Sequence, residues 1–368
     1  MKRVRVALGE RGYTIWIGQG LLGRLGEVAR GCFPGGRALV VTDRNVASLH
    51  GERALRSLRR AGLSAGLIAV PAGERSKSLA RLARIYDRLA ALRFDRGCGV
   101  VALGGGVVGD LAGFAAATYL RGLPCIQAPT SLLAQVDSAV GGKTGIDHRA
   151  GKNLIGAFHQ PSAVVSDLAT LKSLPAREMR AGLAEVVKHA AIADPRLFAF
   201  LERRAADILR RKAPALEPVV VANCRIKARV VEKDERESGP RQVLNFGHTL
   251  GHAIEALWGY SNKMRHGEAV AIGMAAAARL SWEAGLCGRG DADRLVRLLE
   301  RFGLPTSIRR PPDLAILRRA VASDKKTRRG QPHFVLLERV GKARIGCEVP
   351  PGRWREALSG GRPSRAPR

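Results

Sequence analysis

Short apolar runs alternate with amphipathic stretches through the first 170 residues of the chain. Residues 38–42 read as a buried strand ending at Asp43, and residues 65–70 as a second, closed by Pro71-Ala72-Gly73. Residues 99–103 read as a third. Between them, residues 45–62 carry Leu49, Leu55 and Leu58 at helical spacing, and residues 78–92 carry Leu79, Leu82, Ile85, Tyr86 and Leu89. This βαβαβ rhythm predicts a Rossmann-like α/β domain, a parallel sheet covered by helices. Ahead of it, residues 4–8 and 13–17 predict a short antiparallel pair. Past Leu171 the period changes. Residues 177–193, 195–211, 216–234, 243–258, 267–284 and 292–302 all read as helices, with a late hairpin at 334–337 and 343–345. Ser173-Leu174-Pro175 interrupts the pattern. The expected organisation is therefore an α/β domain over 1–172, a mainly α-helical domain over 173–358, and a disordered Gly/Pro/Arg/Ser-rich tail over 359–368.

Composition adds bounds. At about 150 residues per domain, 368 residues suit two domains, and 46% hydrophobic residues suffice for a core. No apolar run approaches the roughly 18 residues of a membrane span. Glu10 and Arg11 interrupt the start, so no signal peptide is read and a cytoplasmic protein is expected. The formal net charge is +30. Of 62 basic residues 13 are Lys, leaving 49 Arg. They are scattered, and aromatic residues are 5%, which leaves few base-stacking platforms. A specific nucleic-acid partner is not expected, and an Arg-rich solvated surface is. The six cysteines form no CxxC pair, so buried free thiols are expected.

Candidate chemistry lies in a few stretches. Gly104-Gly105-Gly106-Val107-Val108-Gly109-Asp110 follows a strand and opens a helix. It can cradle a phosphate, or be a plain tight turn. Asp43, at a strand end, suits a ribose hydroxyl or a helix cap. Thr130 and Ser131 can meet phosphate or cap a helix. Gly142-Lys143-Thr144 fits the end of a Walker A loop, but the earlier glycine it needs falls on Asp137, so that reading fails. Lys143 and Lys152 beside glycines still suggest an anion. Farther on, Glu185, Lys188 and His189 share a helix face. His248 and His252 stand at i, i+4, and His266 and Glu268 follow. Spacing alone selects His248 and His252 as a metal-ligand pair. Lys227, Arg241, Lys325 and Lys326 add charge that a solvated face would also explain.

Taken in order, these stretches resemble the 3-dehydroquinate synthase family over the chain apart from its tail. The carrying segments are PAGERSK from Pro71, GGGVVGDLAGFAAATYLRG from Gly104, PTSLLAQVDSAVGGKTGID from Pro129 and GKNLIGAFHQP from Gly151. AGLAEVVKHA from Ala181, NFGHTLGHAIE from Asn245 and RHGEAVAIGM from Arg265 complete them. The resemblance implies zinc, with cobalt as an alternative, on Glu185, His248 and His266, releasing His252 for substrate phosphate or proton transfer. It implies NAD at Asp43, Glu74, Lys77, Gly105, Gly106, Val107, Val108, Gly109, Asp110, Thr130, Ser131, Asp137, Lys143, Lys152, Thr170 and Leu171. It implies substrate at Arg121, Asp137, Lys143, Asn153, Lys188, Lys227, Arg241, Asn245, His252 and one or both of Lys325 and Lys326. Of these, Lys143, Asn153, Lys188, Lys227, Arg241, Asn245 and His252 carry the expected catalytic roles.

The implied substrate is 3-deoxy-D-arabino-heptulosonate 7-phosphate, and the implied reaction has no net redox change. A metal-held hydroxyl is oxidised by NAD⁺, phosphate is eliminated, and the hydride returns. Ring opening and an aldol closure then give 3-dehydroquinate. An active site in a cleft between the domains and a homodimer are also implied. Another sugar phosphate cyclase and a metal-dependent polyol dehydrogenase are the alternatives.

Overall fold

Continuous apolar runs build the sheet as the pattern predicts. The computed structural model describes residues 1–259, 263–322 and 332–360. Its strands are β1 (Lys2–Val6), β2 (Tyr13–Gly18), β3 (Arg37–Asp43), β4 (Ser64–Val70), β5 (Gly99–Gly104), β6 (Cys125–Pro129), β7 (Lys143–His148), β8 (Gly151–Phe158), β9 (Ala163–Asp167), β10 (Phe334–Arg339) and β11 (Lys342–Cys347). One seven-stranded sheet runs in the order β1-β2-β9-β6-β5-β3-β4. β1 is antiparallel to β2, with Val6 opposite Tyr13, and every other pairing in that sheet is parallel. Successive side chains of β3 and β5 enter different cores. Leu39, Val41, Val100 and Ala102 pack on one face, and Ala38, Val40, Val101 and Leu103 on the other. Burial on both faces is why these strands are uniformly apolar.

The chain forms two units. Met1–Pro175 with Ala213–Arg236 make the first, and Ala176–Lys212 with the described residues from Glu237 onward make the second. The first segment of the first unit ends at Pro175. The return of Ala213–Arg236 to the first unit corrects the expected 173–358 domain. Helix Ala213–Lys233 buries Leu216, Val219, Val220 and Cys224. Its Cys224 Sγ meets the Gln135 carbonyl at 3.3 Å, and Glu232 accepts from the Ala7 N–H at 2.7 Å. Periodicity shows which face of a helix is buried but not what covers it, so the crossing back was not legible.

Other departures are local. The helix expected over 45–62 is a turn at Arg44–Val46, a π-helical turn at Ala47–Gly51, and a helix at Glu52–Arg60. The π turn shifts the register, and Leu49 is left 57% exposed instead of buried. Leu79, the first residue of helix Leu79–Ala91, is also exposed. The helix expected over 243–258 begins only at His248, because Gly247 sits at φ +78. Strand β9, the β7–β8 hairpin and helices Leu314–Ala322 and Trp354–Ser359 were not foreseen. Lys325, Lys326 and residues 361–368 of the expected tail lie outside the described residues. Among the described residues, no helix is long and apolar enough to cross a membrane.

Candidate functional site

In the first unit, β5 passes through Gly105 into helix Gly106–Thr118, as the glycine run predicts. The glycines permit close packing. A Cβ at Gly109 would lie 2.8 Å from the Gln127 amide oxygen, and one at Gly113 would lie 2.5 Å from the Thr144 methyl. Space is more open at Gly105, the N-cap residue, where a Cβ would meet nothing closer than Ser131 Oγ at 3.5 Å. The helix start therefore keeps its backbone N–H groups approachable to an anion. Val108 is buried in the core and Val107 is half-buried.

Five positions expected near the dinucleotide or substrate form one cluster around the Lys77 ammonium. Lys77 is buried, and its Nζ donates to Asp110 Oδ2 at 2.7 Å and to the Asn153 side-chain oxygen. Glu74 lies 3.6 Å away, and Lys152 Nζ lies 3.6 Å from the same Glu74 oxygen. A residue not singled out from the sequence, Asp147, completes the group at 3.9 Å. Asp147 also accepts the Asn153 N–H at 2.9 Å, while its own N–H donates to the Lys77 carbonyl at 2.9 Å. Its signal was its place at the end of the GGKTGID stretch. Burial pushes the Lys77 pKa down, but Asp110 and Glu74 more than offset this and raise it. Burial raises the Asp110 carboxyl despite Lys77. Lys77 is thus a fixed cation amid carboxylates, at the open end of the glycine-led helix.

A second pair forms where helix Ala213–Lys233 meets the π turn Ala134–Ser138: Lys227 Nζ is ion-paired to Asp137. Asp43 caps the turn after β3, accepting from the Asn45 and Val46 N–H groups at 2.9 and 3.1 Å. Ser131 Oγ accepts from the Ala134 N–H at 3.3 Å. The buried Thr130 donates its N–H to the Gly104 carbonyl at 2.9 Å. The buried Thr170 hydroxyl donates to the Asp167 carbonyl at 2.7 Å, and Leu171 is core. These contacts give Thr170 and Leu171 a packing role. Lys143 opens β7 and is exposed, and Arg121 ends an exposed turn at φ +64.

In the second unit, three helices converge because glycines let their backbones touch. A Cβ at Gly267 would lie 2.1 Å from the Ala181 carbonyl oxygen, and one at Gly273 would lie 1.9 Å from the Gly247 carbonyl oxygen. Helix His266–Glu283 is thereby pressed on helix Ala176–Ala193 and on the start of helix His248–Leu257. Arg177 ties the first two together, giving Glu268 bonds of 2.6 and 2.7 Å. Glu185, His248 and His266 are the result: one oxygen and two nitrogens, all within 4.8 Å of one another. The Nε2 atoms of His248 and His266 each stand 3.6 Å from Glu185 Oε1. Tetrahedral ligands at zinc distances would be about 3.3–3.4 Å apart.

The remaining atoms of these groups are directed too. His248 Nδ1 donates to the Phe246 carbonyl at 3.2 Å, and His266 Nδ1 to Glu255 Oε2 at 2.9 Å. With a metal bound, both bonds would leave Nε2 as the lone-pair atom facing it. The other Glu185 oxygen is paired with Lys188, and both residues are buried. Burial pushes the His266 imidazole down, but its bonds to Glu185 and Glu255 more than reverse this and raise it to about 9. Two carboxylates around that ring call for positive charge, from a proton or from a dication. The donor set fits a divalent ion of borderline hardness. His252 does not join it: it lies ring-to-ring with His248 at 5.0 Å and with His266 at 5.9 Å. The i, i+4 pair expected from spacing is thus replaced by a triad from three helices. Arg241 is buried in the turn Pro240–Asn245, and Asn245 Nδ2 donates to Glu237 at 3.1 Å.

A parallel-sheet unit with a glycine-led helix, together with a helical unit carrying a Glu–His–His donor set, defines the sugar phosphate cyclase class of fold. One solved structure of that class is 2-epi-5-epi-valiolone synthase from Streptomyces hygroscopicus subsp. jinggangensis 5008, with NAD⁺ and Zn²⁺ bound. It is 29% identical with a TM-score of 0.87, covering 96% of this chain and 97% of its own. Another is 2-deoxy-scyllo-inosose synthase complexed with carbaglucose-6-phosphate, NAD⁺ and Co²⁺, at 25% identity and TM-score 0.87, covering 98% and 100%. The chain belongs to the 3-dehydroquinate synthase family. The family's N-terminal part matches residues 67–181 and its C-terminal part residues 182–327. The 3-dehydroquinate synthase of Symbiobacterium thermophilum is 50% identical over 351 residues, covering 94% of this chain and 98% of that one.

Proposed function

We propose that this chain is a 3-dehydroquinate synthase, a carbon–oxygen lyase converting 3-deoxy-D-arabino-heptulosonate 7-phosphate to 3-dehydroquinate and phosphate in the shikimate pathway. The observation that carries the reading is near-full-length identity of about half to a 3-dehydroquinate synthase, in a chain whose Glu185, His248 and His266 meet as one donor set. A divalent ion on those three residues would supply Lewis-acid polarisation of a ring hydroxyl, and NAD a hydride acceptor restored within each turnover.

The chain's own residues divide the remaining work. The N–H groups at Gly105–Gly106 and the Lys77 cluster with Glu74, Asp110 and Lys152 would hold the dinucleotide. Lys188, buried against Glu185, would fix the reacting hydroxyls and keep the Glu185 carboxylate oriented. Arg241 supplies a planar two-pronged donor for an oxyanion, whereas Lys143 and Lys227 supply point charges. His252, beside the donor set but outside it, is positioned to bind phosphate or move a proton. Asn153 and Asn245 offer neutral hydrogen bonds.

The test is direct. Purified protein incubated with the heptulosonate phosphate and NAD⁺ releases phosphate and dehydroquinate in equal amounts, without accumulating NADH. Turnover of a different sugar phosphate alone would make it another cyclase; net NADH from a polyol would make it a dehydrogenase. Chelation abolishes turnover, Zn²⁺ or Co²⁺ restores it, and Glu185→Ala prevents the restoration. We read the protein as a cytoplasmic homodimer. Light scattering giving the mass of a single 39.4 kDa chain would overturn that.

A further inference from the structure

We propose that Glu255 is a positioning residue for the metal centre: its carboxylate fixes the His266 ring and supplies negative charge that the buried donor set lacks. The inference rests on the reading of Glu185, His248 and His266 as metal ligands and goes beyond it, since Glu255 lies outside that set.

Three observations carry it. First, Glu255 stands seven residues after His248 on helix His248–Leu257, two turns along and on the same face. It is 6% exposed, and its Oε2 accepts from His266 Nδ1 at 2.9 Å. Second, His266 needs an anchor. It is the first residue of its helix and its side chain is 35% exposed, so packing alone does not hold its ring. With a metal bound, the bond to Glu255 selects the tautomer with Nε2 unprotonated and directed at it. Third, Glu255 lowers the excess positive charge of the centre from two to one. A dication on Glu185 leaves one positive charge, and Lys188, 1% exposed and paired with the same carboxylate, adds another. Buried charge is costly unless compensated, and Glu255 contributes compensation through the His266 ring. His248 makes the equivalent bond to a neutral carbonyl, that of Phe246, so the two histidines are not equivalent donors. His266 is the one oriented by a carboxylate, the arrangement that strengthens a histidine as a metal ligand.

The experiment uses chelator-treated, gel-filtered full-length protein, titrated with Co²⁺ and followed by its visible d–d absorption. Wild type, Glu255→Gln, Glu255→Asp and Glu185→Ala are compared, with the melting temperature of each metal-free protein measured in parallel. Glu255→Gln keeps size and an acceptor oxygen but removes the charge. It is expected to weaken Co²⁺ binding by about 10- to 100-fold while the metal-free protein still melts cooperatively as a folded chain. Glu255→Asp, keeping the charge, is expected to bind more tightly than Glu255→Gln and to show a shifted absorption band. A Glu255→Gln protein that binds Co²⁺ within twofold of wild type overturns the proposal, as does an Asp variant no better than the Gln variant. If wild type takes up no Co²⁺, or Glu185→Ala takes it up as wild type does, the metal-site reading itself falls. That result is distinct from failure at Glu255 alone.

Discussion

Replacing Gly267 by alanine tests whether helix contact, rather than side-chain flexibility, sets the proposed metal site. The new Cβ would lie 2.1 Å from the Ala181 carbonyl oxygen and 2.6 Å from the Ala181 Cα. Both are backbone atoms and cannot rotate aside. Relief to a tolerable contact of 3.0 Å requires helices His266–Glu283 and Ala176–Ala193 to part by about 1 Å. His266 is the neighbour of Gly267, and Glu185 lies one turn beyond Ala181, so the parting falls on the 3.6 Å gap between His266 Nε2 and Glu185 Oε1. Metal–ligand distances tolerate about 0.2 Å, so the displacement is several times too large. Overpacking of this kind costs about 1–3 kcal/mol, a fall of roughly 2–4 °C in melting temperature per kcal/mol at this size. We expect Gly267→Ala to lose at least tenfold in Co²⁺ affinity, read by absorption titration, and to melt several degrees lower by differential scanning calorimetry. Gly290→Ala, on helix Arg289–Arg301 with nothing within 4 Å of the new methyl, is the control and should change neither quantity for the worse. A Gly267→Ala protein with wild-type Co²⁺ affinity would refute the reasoning.

Two further outcomes follow from the same geometry. Burial raises the Glu268 carboxyl, but its bonds to Arg177 and to the Arg265 N–H outweigh this and hold it below the ordinary carboxylate value. A depressed carboxyl stabilises the fold above its unfolded pKa of about 4.3, and that contribution is lost as pH falls through the folded value. The melting-temperature gap between wild type and Arg177→Met should therefore be widest near neutrality and close in acid; a gap of constant size would show the bond to be immaterial. The thiols give a second check: burial pushes Cys125 and Cys224 up to about 12 and Cys287 to about 11, while Cys32 and Cys347 are half-buried. A colorimetric thiol reagent at pH 8 should react promptly with at most Cys32 and Cys347 in the native protein and with all six in denaturant. Prompt reaction of six native thiols would contradict the burial.

Several of the arginines form local ion pairs. Arg24 with Glu27, Arg56 with Glu52 and Arg204 with Asp207 are i, i+3 or i, i+4 pairs on exposed helix faces. Such pairs add little stability. Arg177 and Arg294 join different helices, the latter bonding Glu202 at 2.7 and 3.0 Å.

Much of the architecture was legible in the chain. Strands β3 to β5, the antiparallel β1–β2 pair and most helices are local in origin: an apolar run of five or an apolar stripe at helical spacing has few other ways to leave water. The glycine run after β5 was legible for the same reason, since turn and helix start are neighbours in sequence. The β7–β8 hairpin was not, because its residues alternate irregularly and include Leu154 and Phe158, which stay exposed. The π turn at Ala47–Gly51 was also hidden, since one residue of register changes no composition.

What required the tertiary structure was every pairing between distant residues. Spacing favoured His248 with His252, because two residues of one helix are the only neighbours a sequence displays. The triad instead draws on Glu185, His248 and His266 from three helices, and it exists because Gly267 and Gly273 allow backbones to approach where any side chain would hold them apart. The same holds for Asp147 beside Lys77, Glu255 beside His266, and the return of helix Ala213–Lys233, with Lys227, to the first unit. Sequence by itself determined the elements and the kinds of chemistry available. Packing decided which groups meet, because contact across a core depends on the combined shape of surfaces that no local pattern encodes.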